Sequence, residues 1–316
     1  MILGGSFVST GDEASPWARF HFRPHFFQQC GFRVVCSDDG DADCDAVRLD
    51  GSGGAANVYE TLRLLDQYML LHYGRDEDAM PYAFGPKDAA AFPRRCAEWL
   101  VQQCGRFGIE TTRALDIGCA VGGAAFELAR SFPEVIGVDL SASFIAAANA
   151  LKTEGRLEFK RHDEGEIRAD RVAVLAPGID VGRVSFRQAD ACALPADLHG
   201  FDAVLLANLL CRLPSPRACL ERMGGSRGVV RPGGLLMAVS PYTWMETFTP
   251  KDVWLGGFVR QGVTVRSIEG LHTLLDPDFE LVDEAEMPLL IREHARKFQY
   301  IVGHATAWRR RTGPGR

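Results

Sequence analysis

No apolar run in this 316-residue chain approaches the roughly 20 residues needed to cross a bilayer. The N-terminal stretch MILGGSFVSTGDE has no basic segment followed by an apolar one, so it does not read as a secretion signal. The nine cysteines form no C-x-x-C pair and show no metal-ligand spacing. Their odd number and scatter predict free thiols in a reducing, cytoplasmic setting, with neither a disulfide framework nor a bound metal. Basic runs are scarce too. The net charge is −6, and the only cluster of cations is Arg309-Arg310-Arg311, which reads as a solvated tail. Nucleic-acid binding rests mainly on Lys and Arg, so this balance argues against a nucleic-acid partner.

What the chain does have is 47% hydrophobic and 24% charged residues, enough for one large core with smaller additions. Residues 37–56, SDDGDADCDAVRLDGSGGAA, break the pattern. The alternation of Asp39, Asp41, Asp43 and Asp45 invites a calcium loop. Cys44 stands where that loop needs glycine and Asp50 where it needs glutamate, so the stretch reads as a solvated linker.

NVYETLRLLDQYMLLHYG (57–74) predicts a helix, with Asn57 and Glu60 as a capping box and Gly74 as its stop. Val58, Leu62, Leu65, Met69 and His72 form its apolar stripe. A second helix is expected over 93–104, closed by Gly105. The centre alternates strands (RALDI, EVIGVDL, VSFRQAD, FDAVLLANLL, LLMAVSPY) with helices, including FELARSF and a segment running from an N-cap at Ser141 to Gly155. Such alternation specifies an α/β, doubly wound parallel sheet. FELVDEAEMPLLI and FQYIVGHATAWRR read as a hairpin-like pair of strands at the sheet edge.

The informative turn is LDIGCAVGG, between the first of these strands and its helix. A triphosphate loop would need G-x-x-x-x-G-K-[ST], and there is no Lys. A dinucleotide loop would need G-x-G-x-x-G, and that order is absent, which argues against an NAD oxidoreductase. The order present is Asp116, Gly118, Ala120, Gly122, or D-x-G-x-A-x-G. It resembles motif I of the class I S-adenosylmethionine-dependent methyltransferases, D/E-x-G-x-G-x-G, with Ala120 as the one departure. The resemblance implies a Rossmann-like, doubly wound sheet of seven strands with the last antiparallel. It implies S-adenosyl-L-methionine as cofactor, held by Asp116, Gly118, Ala120 and Gly122 in the loop. It adds Asp139 for the ribose, Asp190 for the adenine amino group, and Asn208 beneath the transfer centre. A cofactor without pyrophosphate turns an amino acid moiety toward the helix N-terminus, whose N–H groups suit its carboxylate.

The flanks are more specific. NVYETLRLLDQYMLLHYG, DIGCAVGGAAFELAR, FDAVLLANLLCRLPSPRACLERM, RPGGLLMAVSPYTWMETFTPKDVWLGGF and REHARKFQYIVGHATAWRRR together resemble one family. It is the methyltransferase domain at the C-terminus of the ovothiol-biosynthesis sulfoxide synthase, a mercaptohistidine N-methyltransferase. Residues 57–312 would form that domain, including an N-terminal helical lid. Residues 1–36 are similar to the closing segment of the formylglycine-generating-enzyme-like domain of the same synthase. That segment lacks the upstream iron-binding histidines, so His21 and His25 read as packing or surface residues. The resemblance implies a small amino acid substrate, thiol-histidine, and association with a sulfoxide synthase domain. Candidate acceptor-site residues are Tyr59 and Tyr68 on the lid, Trp244 as a wall of the ring slot, and Arg292 in REHARK as a bidentate carboxylate grip. Tyr242 and His294 are the candidate catalytic groups, with His294 expected on a polar helix. Cys119 and Cys211 read as small buried thiols. The other readings are methylation of another small molecule and a non-catalytic remnant that only binds the cofactor.

Overall fold

The chain divides into two units, residues 1–54 and 55–316. The computed structural model describes residues 58–313 and, in the first unit, only the two-residue strands β1 (Ile2–Leu3) and β2 (Arg19–Phe20), which pair antiparallel. His21, His25, the aspartates of 37–56, and Asn57 lie outside the described residues.

The second unit is built on seven strands. They are β3 (Arg113–Ile117), β4 (Glu134–Asp139), β7 (Val184–Gln188), β8 (Phe201–Ala207), β9 (Val230–Ser240), β12 (Phe279–His294) and β13 (Lys297–Arg310), in the spatial order β12-β13-β9-β8-β3-β4-β7. All neighbours among β7, β4, β3, β8 and β9 run parallel. Only β13 is reversed, pairing antiparallel with both β9 and β12. This is the class I methyltransferase sheet, with its last strand antiparallel, as expected.

The sequence dictates two buried faces. Six of the seven residues of β8 are buried, because apolar side chains on both faces of a central parallel strand need cover. Along β9 the period of two sorts Leu235, Met237 and Val239 to one side and Leu236 and Ala238 to the other. The first side is covered by α1 (Leu62–Tyr73), α3 (Phe92–Arg106), α4 (Gly123–Leu128) and α5 (Ala142–Glu154). The second is covered by α6 (Pro216–Glu221) and α7 (Ser267–Leu275), with Trp308 fully buried beneath.

Several local expectations need correction. The helix starts later than the expected capping box, whose Asn57 lies outside the described residues. Val58–Glu60 is a 3-10 turn, and α1 begins at Leu62 with Thr61 accepting from the Leu64 N–H. Glu60 instead accepts from the Ala142 N–H at 2.8 Å and the Ser143 N–H at 3.1 Å. It thus joins Ser141 in capping α5, where the helix dipole favours an anion. Helix α3 runs through Gly105 to Arg106 rather than stopping there. Helix α4 is short, and ARSF, expected within it, forms turns. REHARK is not helical: it closes β12, turns, and opens β13.

Two hairpins were not anticipated. One is the short pair β10 (Phe258–Arg260) and β11 (Val263–Val265). The other is β5 (Arg156–Glu164) with β6 (Ile167–Val174), inserted between α5 and β7. Charge holds this second one down. Arg161 binds Asp163 through two bonds of 2.9 Å and also pairs with Asp78, while Arg171 reaches Asp78 at 2.8 Å. Asp78 lies on α2 (Asp76–Ala79), so the hairpin is tied to the segment after α1.

Candidate active site

The chain enters the sheet at β3, moves outward through β4 and β7, then returns to the other side of β3 as β8. That reversal leaves a crevice at the carboxyl ends of β3 and β8, the place where open α/β sheets take ligands. The pocket found there is lined by Asp116 within β3 near its end, Gly118 and Ala120 after it, Asp139 at the end of β4, Asp190 after β7, and Asn208 after β8. Tyr59, Tyr68 and His72, from the 3-10 turn and α1, line it as well. The structure therefore brings together residues that the sequence spreads over some 150 positions.

The loop geometry explains its composition. Gly118 and Gly122 have φ of +76° and +88°, in the left-handed region that favours glycine. A Cβ on Gly118 would come within 2.9 Å of Leu209, and one on Gly122 within 2.6 Å of Phe186. Gly122 does not line the pocket; it lets the loop pack. Gly123 is needed because a Cβ there would sit 2.6 Å from His72 Nδ1. That nitrogen accepts the Gly123 N–H at 3.0 Å, and the Tyr73 hydroxyl donates to the Val121 carbonyl at 2.6 Å. The end of α1 is thereby fastened to the glycine loop. Burial pushes the His72 pKa down to about 3, so the ring stays neutral and keeps accepting at Nδ1.

Ala120 also has positive φ, +47°, at the one position where the motif departs from glycine. The left-handed conformation costs a non-glycine residue about 1–2 kcal/mol, against about 0.8 kcal/mol lost with one buried methyl. Ala120→Gly is therefore expected to stabilise the protein by up to about 1 kcal/mol, read as a higher denaturation midpoint. A lower midpoint would mean that the Ala120 methyl packs better than its backbone strains.

The acids are set for different tasks. Asp139 accepts from the Ala120 and Ser141 N–H groups, each at 2.9 Å, so it shapes the loop while lining the pocket. Its pKa is raised by burial, with those N–H groups opposing. Asp190 accepts from the Cys192 N–H at 2.8 Å. Asp116 is buried, and one of its oxygens, Oδ2, has no partner. Burial, reinforced by the charge of Asp139, lifts its pKa to about 7. Asn208 sits at φ +55°, and its Oδ1 is likewise buried without a partner. Buried acceptors are normally satisfied, so two of them on one crevice fit a ligand that brings donors. S-adenosylmethionine, with its ammonium and ribose hydroxyls, is such a ligand. Burial also raises the Cys119 thiol well above its ordinary value, leaving it inert.

The remaining candidates lie elsewhere. The Tyr242 hydroxyl is 2.9 Å from His304 Nδ1, and His304 Nε2 is 3.2 Å from Glu284. Trp244 donates to Ser267 at 2.9 Å. His294 accepts from the Arg296 N–H in the β12–β13 turn. None of these lines the pocket, nor does Arg292. Arg292 is only 5% exposed, donating to Asp163 at 2.7 Å and to the Asp78 carbonyl at 2.6 Å. Its guanidinium completes the clamp on the β5–β6 hairpin, which corrects the expectation of a carboxylate grip on a helix. The pocket includes instead a side chain that was passed over, Arg212. Its only signal in the sequence is a lone cation inside the apolar run NLLCRLP.

Residues 115–238 match the protein family described as a methyltransferase domain. No curated protein sequence gives a significant match. Among solved structures, the chain is similar to the [4+2]-cyclase SpnF, with 17% identity over 80% of this chain and 98% of that one and a TM-score of 0.47. It is similar to the N-methyltransferase NodS from Bradyrhizobium japonicum WM9 in complex with S-adenosyl-L-homocysteine, with 16% identity, 78% and 98% coverage and a TM-score of 0.44. It is also similar to the magnesium protoporphyrin IX methyltransferase ChlM from Synechocystis PCC 6803 with bound SAM, with 16% identity, 79% and 97% coverage and a TM-score of 0.42. Sheet order, crevice and family match agree: the chain carries a methyltransferase domain over residues 115–238, in the doubly wound class I fold. Among the described residues there is no helix long and apolar enough to cross a membrane, and no cluster able to hold a metal ion.

Proposed function

We propose that this enzyme transfers the methyl group of S-adenosylmethionine to an imidazole nitrogen of a thiol-histidine (5-thiohistidine or 4-mercaptohistidine), as in ovothiol biosynthesis. The observation that carries the reading is a crevice combining an aromatic wall, orphaned acceptors and a guanidinium. Tyr59 and Tyr68 stand edge to face, 6.4 Å apart, and line the crevice with aromatic surface. Asn208 Oδ1 offers an acceptor for an N–H of ring or ammonium. Arg212 offers positive charge. The flanking stretches from SPYTW to REHARK add the resemblance to the mercaptohistidine family.

When bound, the sulfonium supplies an electrophilic methyl whose C–S bond breaks as the new C–N bond forms. A neutral imidazole nitrogen is nucleophilic enough, so the protein's main task is alignment at about 3–3.5 Å. Asn208 can fix the ring tautomer by accepting its N–H. The aromatic lid excludes water from the crevice. The proton that the ring loses passes to solvent, and no strong general base is required.

The test is to mix protein, S-adenosylmethionine and thiol-histidine at pH 7–8, with histidine in parallel. An N-methylated product and S-adenosylhomocysteine are expected from the thiol-histidine, and much less from histidine if the sulfur is recognised. Folded, cofactor-binding protein that yields no product would overturn the proposal. Release of S-adenosylhomocysteine with a different small acceptor would then point to methylation of that class. Tight cofactor binding without turnover on any acceptor would point to a binding remnant.

A further inference from the structure

A second guanidinium stands where Arg292 was expected to act. Arg212 ends the 3-10 turn Leu210–Arg212, which follows β8 directly after Asn208. It lines the crevice beside Asn208 and Tyr59. One of its nitrogens, Nη1, is committed to carbonyls, donating to Thr243 at 2.9 Å and to Cys211 at 3.1 Å. Its guanidinium carbon lies 5.2 Å from the centre of the Phe248 ring, a cation–π contact that fixes the plane of the fork. Arg212 also hydrogen-bonds the Tyr59 side chain, and with its charge it lowers the Tyr59 pKa against the larger raising effect of burial. Among the described residues no carboxylate forms an ion pair with it, whereas Arg161, Arg171 and Arg292 are all paired with Asp78 or Asp163.

A half-buried guanidinium anchored by the Thr243 and Cys211 carbonyls and by Tyr59, with no carboxylate paired to it among the described residues, is a preorganised positive charge at the wall of a ligand crevice. Its place in the crevice separates it from the cofactor's amino acid end. That end belongs with Asp116, the glycine loop and the start of α4, all on the β3 side. Arg212 lies instead on the β8 side, bonded to the loop that leaves β9.

We propose that Arg212 binds the carboxylate of the methyl acceptor, and so restricts this enzyme to acceptors that carry an acid group beside the ring to be methylated. This rests on the reading of the acceptor as a thiol-histidine, whose α-carboxylate would be the group held. The guanidinium donors not taken by Thr243, Cys211 and Tyr59 would meet the carboxylate, while Nη1 keeps the loop of Thr243 in place. The ring then lies between Tyr59 and Asn208, with one nitrogen turned toward the methyl group.

The experiment separates this inference from the reading on which it rests. In the protein saturated with S-adenosylhomocysteine, imidazole propionate and histamine are titrated calorimetrically; they share a ring, and only the first has a carboxylate. Wild type is expected to bind imidazole propionate more tightly. Arg212→Gln, which keeps an amide donor for the Thr243 carbonyl, is expected to weaken that binding about tenfold or more and leave histamine unchanged. Arg212→Lys is expected to recover part of the loss, because it restores charge without the fork. In turnover, Arg212→Gln should raise KM for thiol-histidine by a similar factor with the Kd of S-adenosylhomocysteine unchanged. Absence of turnover by wild type, with the Arg212-dependent preference for imidazole propionate intact, would remove the thiol-histidine reading and leave the carboxylate site standing. Turnover with no Arg212 effect on KM or on the propionate preference would overturn the carboxylate site. An equal loss of cofactor affinity in the glutamine and lysine variants would also overturn it, assigning Arg212 to the cofactor or to the fold.

Discussion

Cofactor affinity is expected to fall about fivefold from pH 7 to 6 and about tenfold more from pH 6 to 5 in the wild-type protein, and to lose most of that slope in Asp116→Asn. Burial, with the added charge of Asp139, raises the Asp116 carboxyl from its ordinary 3.8 to about 7. An acid whose pKa rises on folding favours the folded state most below its unfolded pKa. That contribution is lost as pH rises through about 7, so Asp116 costs the ligand-free protein stability at neutral pH. A ligand ammonium at the orphaned Oδ2 reverses the preference by stabilising the carboxylate. Below pH 7, binding must then expel a proton, which is what weakens it. The groups facing Asp116 do not supply the slope in its place. His72 is held near 3, and Tyr73 and Cys119 are pushed well above their ordinary values by burial, so none of these changes charge between pH 5 and 8. Asp139 is raised as well, and any slope surviving in Asp116→Asn measures its share. Calorimetry with S-adenosylhomocysteine at pH 5, 6 and 7 reads the effect, and buffers of different ionisation enthalpy count the proton released. A Kd that does not change with pH would remove Asp116 from ammonium binding.

The parts of this site that could be read in the sequence are those where local pattern and global fold agree. β8 was legible because FDAVLLA has no polar residue except Asp202, and Asp202 accepts from the Thr112 and Arg113 N–H groups at the base of β3. Asp116, Asp139, Asp190 and Asn208 were legible because each lies at or just past the carboxyl end of a strand of the same sheet. What could not be read depends on partners distant in the chain. Glu60 looked like a cap for its own helix, yet it caps α5, some 80 residues away. The β5–β6 hairpin does not announce itself, because β5 has only two apolar residues, and it persists through Arg161, Arg171 and Arg292 closing on Asp78 and Asp163. The same network decides between two arginines. Nothing local distinguishes Arg212 from Arg292, and only the fold shows that one meets carboxylates and the other meets a crevice. The glycines were half legible. Their clustering marked the ligand loop, but Gly122 and Gly123 are required by Phe186 and His72, protein neighbours that no motif states.

Gly122→Ala is expected to be strongly damaging while leaving every ligand-facing side chain in place. At φ +88° an added Cβ costs about 1–2 kcal/mol through backbone strain. That Cβ would also fall 2.6 Å from the tip of the Phe186 ring and 3.3 Å from the Ala148 methyl. Phe186 cannot swing aside, because it is buried and packs edge to face on Phe126 at 5.1 Å. Overpacking of that kind adds about 1–3 kcal/mol, for a total of about 2–5 kcal/mol out of the ~5–15 kcal/mol that holds a typical domain folded. At about 2–4 °C per kcal/mol for a domain of this size, the melting temperature should drop by roughly 10 °C. The loop has one other way to relieve the clash, which is to move. Movement would draw the Gly123 N–H from His72 and the Ala120 N–H from Asp139, so cofactor affinity should fall even where the variant is fully folded. Gly105→Ala is the matched control. It lies inside α3 with open space where its Cβ would go, so the same methyl should stabilise by up to about 1 kcal/mol and leave binding alone. Equal melting temperatures for Gly122→Ala and wild type would mean that the loop is not packed on Phe186. A lowered melting temperature with full cofactor affinity would mean that packing and binding are separable here, and that the contact between α1 and the loop does not shape the crevice.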